Sequence, residues 1–193
     1  MPAKEHWQID AERLAQQIRD VARGSFSEED LKMGVEPHLK RVFKQIGINT
    51  DLASYERSHR LGGRSDAVYG FLVIEYEKPG KLATAPGLRS ALGDLQRNLT
   101  GEAQAHAPAE AFLGKAVGVA LDGRSIAFVR WTKAARAISL PVAIPSEQSD
   151  LFPRSPRPGG FQALGPYPLT AESVTNLLIY ARATARRPLS AEA

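Results

Sequence analysis

Three acidic side chains fall within one short, otherwise apolar stretch: Asp66, Glu75 and Glu77, in residues 63–82 (GRSDAVYGFLVIEYEKPGKL). Side chains on a strand alternate between faces, so Phe71, Val73, Glu75 and Glu77 share one face, and Leu72, Ile74 and Tyr76 share the other. Apolar residues on both faces are the mark of a central, buried strand. Two carboxylates at the far end of such a strand lose hydration and repel each other unless a proton or cation offsets the cost. A divalent ion does so, and Mg²⁺ is commonly held by one or two carboxylates together with water and phosphate oxygens. Gly70 separates two strand-like runs, 65–69 and 71–78, so a turn there brings Asp66 back to the same end of the sheet. From the spacing alone, the commoner explanation is a wet strand end carrying solvated acids.

The elements that must position these groups follow from periodicity. A first helix is expected over 10–23, capped by Asp10, with Leu14, Ile18 and Val21 on one face. A second starts after Ser27, where Ser27 and Asp30 form a capping-box pattern, and carries Leu31, Val35, Leu39, Val42, Phe43 and Ile46. Glu36 lies on the apolar side of that helix, near Leu39 and Phe43 in azimuth, where an acid requires a partner or must snorkel to water. An extended segment is expected over 53–60. Pro86 starts a helix to about residue 100, with Leu88, Leu92, Leu95 and Leu99 as its stripe, and the alanine-rich 101–112 has room for a short helix. Residues 115–121 and 125–131 form a hairpin about Asp122-Gly123. A strand is expected over 138–144, a long loop over 145–168, which holds six prolines, and a last helix from Thr170 to about Ala185. The order predicts a mixed α/β sandwich, with residues 1–193 as a single domain.

Composition narrows the field. The chain has 193 residues, a net charge of +4 and no cysteine, which excludes disulfides and thiolate metal sites. The absence of disulfides suits the cytoplasm. No apolar run approaches membrane-spanning length, and the N-terminus lacks a signal-peptide core. His6, His38, His59 and His106 lack zinc-ligand spacing, and there is neither a Walker loop nor a nucleophile elbow. Arg57, Arg60, Arg64 and Lys81 flank the acidic segment and could contact phosphates, although solvated surface charge accounts for any one of them.

The run Gly63-Arg64, Asp66-Ala67, Tyr69-Gly70, Ile74-Glu75-Tyr76 and Pro79-Gly80 resembles the core of the PD-(D/E)xK nuclease superfamily. More narrowly, it is similar to the N-terminal nuclease domain of restriction-modification proteins that carry an adenine-specific DNA methyltransferase downstream. The similarity extends to GVALDGRSIAFVRW (118–131) and to the closing LTAESVTNLLIYARATARRPLSAEA. It implies a restriction-endonuclease-like mixed sheet core flanked by helices, and a Mg²⁺-dependent DNA endonuclease in which Mn²⁺ can substitute. Asp66 and Glu75 would hold the metal, with double-stranded DNA as substrate. It also implies that the helix over 170–187 leads into a further domain, and it allows a homodimer. Glu77 stands where the family has lysine. Some restriction enzymes of this superfamily have glutamate there, as a third ligand or a general base. Lys78 could replace the lysine only if a bulge turned it inward. Members of the superfamily often bring a first-helix glutamate to the metal, a role for Glu36. Related nucleases often place a glutamine near the site or DNA, a role for Gln96, with Arg64, Arg60 and Lys81 as further DNA contacts. The rivals are a nuclease fold that only grips DNA, which the Glu77 departure favours, and an interaction domain with no nucleic-acid role.

Overall fold

The computed structural model describes residues 6–58, 64–132 and 160–185. Helices α1 (His6–Gly24) and α2 (Glu28–Gln45) precede strands β1 (Ser54–Ser58), β2 (Arg64–Tyr69) and β3 (Leu72–Tyr76). A 3-10 turn (Lys81–Ala83), helix α3 (Ala85–Gln104) and the short α4 (Ala109–Leu113) cross to β4 (Val117–Leu121) and β5 (Ser125–Thr132). Strand β6 (Gly160–Pro168) and helix α5 (Ala171–Ala185) close the chain's described part.

The strands form one sheet in the order β1-β2-β3-β4-β5-β6. All pairs are antiparallel except β3 and β4, which run parallel from Leu72↔Val117 to Tyr76↔Leu121. A parallel pair needs a long crossover, and α3 supplies it. One sheet face packs on α1, α2 and α5 through residues such as Leu14, Leu39, Phe43, Ile74, Val119 and Leu177. The other packs on α3 and α4 through Val73, Leu92, Leu95, Leu99, Phe112 and Val129. This is a mixed α/β architecture, an open and mostly antiparallel sheet flanked by helices, compatible with a restriction-endonuclease-like core.

Local chemistry sets the element ends. Ser27 Oγ accepts from Asp30 N and Asp30 Oδ2 accepts from Ser27 N, which is the expected capping box. Thr84 Oγ1 caps α3 and Thr170 Oγ1 caps α5. Gly70 takes φ 64° in the tight β2–β3 turn, a conformation that Cβ disfavours. Gly118 lets α3 lie directly on β4: a Cβ there would stand 2.9 Å from Leu95 Cδ2 and 3.0 Å from Leu99 Cδ1.

Three expectations are corrected. Asp10 does not cap α1, whose helical backbone already runs from His6, so this carboxylate sits inside the helix. Helix α3 is longer than its leucine stripe suggested, since Ala103 still buries a face. The expected loop over 145–168 contains β6. Among the described residues this strand pairs only with β5, and an edge strand tolerates Pro166 and Pro168 because one side needs no ladder donors. Residues 145–159, the strand expected over 138–144 and residues 186–193 lie outside the described residues.

Candidate active site

Every residue of β3 is buried, so the sheet drives this strand and its carboxylate into the interior together. The β2–β3 ladder runs Tyr69↔Leu72, Val68↔Val73 and Ala67↔Ile74. One step further, the same register sets Asp66 opposite Glu75. There the ladder changes character: Tyr76 N donates to Asp66 Oδ2 at 2.9 Å, so a side-chain oxygen replaces a backbone one. Strand β3 meanwhile stays bound to β4, and Glu77 N donates to Leu121 O at 2.9 Å. Both acids share the sheet face of Val68 and Val73, which α3 covers.

Glu75 is 7% exposed, and its Oε1 accepts from Asn98 Nδ2 of α3 at 2.7 Å. Burial pushes its pKa up to about 8; the charge of Asp66 adds to the rise, while Asn98 and a hydrogen bond from the Asp66 backbone oppose it. Burial also raises Asp66, against the Tyr76 amide and Lys32. Lys32 Nζ of α2 lies 3.6 Å from Asp66 Oδ1 and is itself buried. Among the described residues, no lysine or arginine pairs with Glu75. Glu75 is thus a desolvated carboxylate beside the charge of Asp66, an environment that favours either a proton or a cation.

Glu77, also buried, stands on the same face one step along. Burial pushes it up to about 7, opposed by Lys81. Lys81 Nζ pairs closely with Glu77 Oε2 and lies 3.6 Å from Glu28 Oε1. Burial disfavours the charge of Lys81, but Glu77, Glu28 and Asp94 outweigh it and its pKa is raised. Arg97 pairs with Asp94 one helical turn away. All these groups open on a cleft of about 230 Å³. Asp122, fully buried, ties down the segment that follows Lys81: Oδ2 accepts from Leu82 N at 2.9 Å, and Oδ1 accepts from Arg124 N at 2.9 Å and Ser125 N at 2.6 Å. The Asp122-Gly123 turn therefore also clamps the 3-10 turn that carries Lys81.

Of the sequence candidates, Asp66, Glu75, Glu77 and Lys81 meet in this cleft. Glu77 lines the same cleft as Asp66 and Glu75, with the Lys81 ammonium against its carboxylate. Lys78 is exposed, as strand alternation requires, and does not line the cleft. Glu36 does not line the cleft. Its side chain meets the tyrosines of the α2-facing side of the sheet: Tyr69 Oη donates to Oε2 at 2.6 Å, Tyr76 Oη to Oε1 at 2.7 Å and Tyr55 Oη to Oε2 at 3.2 Å. The acid does have the partner it requires, but the partners are phenols. Gln96 does not line the cleft either; two residues on, Asn98 presents the amide that reaches Glu75. Arg64 and Arg57 lie on β2 and β1 with only their backbones described, and Arg60 and His59 fall outside the described residues.

Sequence reasoning missed Lys32, Glu28, Asn98, Asp94 and Arg97. Asn98 left a signal, since it stands between Leu95 and Leu99 on the buried stripe of α3. Lys32 left a weaker one, next to Leu31 and one turn before Val35 and Glu36. Among the described residues no helix is long and apolar enough to cross a membrane. Compared with protein-family models, curated proteins and solved structures, the chain finds no match.

Proposed function

We propose that this chain is a metal-dependent nuclease domain of the PD-(D/E)xK type that hydrolyses phosphodiester bonds of double-stranded DNA. One observation supports it above the rest. Asp66 and the buried Glu75, from adjacent strands, line one cleft, and burial together with the charge of Asp66 pushes the Glu75 carboxyl up to about 8. The donor set is all oxygen and anionic, which fits Mg²⁺ or Mn²⁺. Asp66 and Glu75 would hold the ion. Bound there, it supplies charge stabilisation for the scissile phosphate and acidifies a water.

The chain's own residues carry the rest. Asn98 fixes the rotamer of Glu75 through Oε1, and the Tyr76 amide fixes Asp66 through Oδ2. Glu77, held near neutrality at about 7, is the group suited to accept a proton from the attacking water. Supercoiled plasmid incubated with Mg²⁺ or Mn²⁺ tests this: nicking is expected from the wild type and should vanish in D66N and E75Q.

The second reading is a DNA-binding module without cleavage. The observation in its favour is that Glu77, which replaces the family lysine, is already neutralised by Lys81. It gains if the wild type, alone or joined to its downstream domains, leaves plasmid intact yet retains it on a gel. The wider context follows from the resemblance alone: a cytoplasmic restriction-modification or phage-defence protein with a covalently linked methyltransferase, in which a homodimer would present one centre to each strand.

A further inference from the structure

The cleft holds two acidic halves, and they are treated differently. In the Asp66–Glu75 half, no cation lies between the carboxylates among the described residues; Lys32 touches Asp66 from the α2 side. In the other half, a lysine stands between the acids. Lys81 Nζ pairs with Glu77 Oε2, lies 3.6 Å from Glu28 Oε1 and feels the charge of Asp94. We infer that Lys81 is a built-in second cation: its ammonium occupies the place that a second divalent ion would take between Glu77 and Glu28, so the domain works with one metal ion and one fixed positive charge. The inference deepens the nuclease reading and rests on it for the ion at Asp66 and Glu75.

Three features of the chain support a fixed position. Lys81 follows Glu77 by four residues, and the intervening Gly80 takes φ 84°, turning the chain back over the strand end. Lys81 N donates to Lys78 O at 2.9 Å and closes that turn. Asp122 then ties the next residue, Leu82, to the β4–β5 hairpin. The residue is therefore fixed through its main chain and its ammonium through the two carboxylates, while 27% of its side chain remains exposed. A cation so placed offsets the charges of Glu77 and Glu28 without metal, and its open side can meet a phosphate oxygen. Lysine at strand position 77 would have projected from the same face; here glutamate at 77 and lysine at 81 deliver positive charge to that face by another route.

Counting Mn²⁺ ions by calorimetric titration of the folded chain tests this without reference to cleavage. Lys81→Gln should bind one more Mn²⁺ per chain than the wild type, because Glu77 and Glu28 lose their shared cation. The added ion should disappear in the E77Q/K81Q double variant, and K81R, which keeps the charge, should match the wild type. Equal counts in the wild type and K81Q, both folded by circular dichroism, would overturn the inference. If K81Q does not fold, K81M serves for the same count. A wild type that binds no Mn²⁺ would sink the metal reading at Asp66 and Glu75, while the increment in K81Q would still decide the role of Lys81.

Discussion

Glu75 makes the stability of the metal-free domain depend on pH in an unusual direction. Its carboxyl is pushed from 4.5 to about 8 in the folded chain, first by burial and then by Asp66. Between those values the folded state holds a proton that the unfolded state releases, so stability falls as pH rises across that window and is flat on either side. The limiting slope for one group is about 1.4 kcal/mol per pH unit, so the whole window amounts to at most roughly 5 kcal/mol. Water entering the open side of the cleft reduces this, and we expect roughly 2–3 kcal/mol to remain. Asp66 and Glu77 are raised by burial too and act in the same direction. The informative quantity is therefore the difference between the wild type and E75Q, followed by urea unfolding in metal-free buffer. E75Q should gain on the wild type as pH rises from 5 to 8. Mn²⁺ at about a hundredfold excess over its Kd should return roughly 2.7 kcal/mol to the wild type at pH 8, and little to E75Q. A difference that stays constant across the window would refute the claim that Glu75 is buried beside a like charge.

Other substitutions probe the supports. Glu36→Ala removes the acceptor shared by three tyrosine hydroxyls, leaving Tyr55 and Tyr69 only each other, and should lower stability by roughly 2–3 kcal/mol in thermal melts, while the Mn²⁺ count stays unchanged because Glu36 does not line the cleft. Gly118→Val drives a side chain into Leu95 and Leu99 and should cost about 1–3 kcal/mol in urea unfolding, with the amide of Asn98 carried away from Glu75. Asn98→Ala removes the hydrogen bond that opposes the rise at Glu75. Cleavage near neutral pH should fall roughly fivefold, corresponding to about 1 kcal/mol, and recover toward alkaline pH in a pH–rate profile.

The parts of the site that were legible in the sequence are those governed by local geometry. Alternation along 71–77 put Glu75 and Glu77 on one face, and the turn at Gly70 set Asp66 opposite Glu75 through the β2–β3 register. Capping chemistry likewise placed the starts of α2 and α5 at Ser27 and Thr170, and Pro86 marked the start of α3, whose cap is Thr84. What could not be read is which face of the sheet each helix covers. Glu36 has the inward azimuth expected of it, but α2 lies over Tyr69 and Tyr76 rather than over the carboxylates. Asn98 and Lys32 reach the acids only because α3 and the start of α2 converge on the end of β3, a long-range fact with no periodicity of its own. Strand β6 was hidden by composition: proline and glycine read as loop, yet an edge position accepts them.

The most direct test of the central claim is anomalous diffraction from crystals soaked in Mn²⁺. A peak bridged by the carboxylates of Asp66 and Glu75 is the predicted result. No peak at that position, with the two side chains turned away from each other, would contradict it.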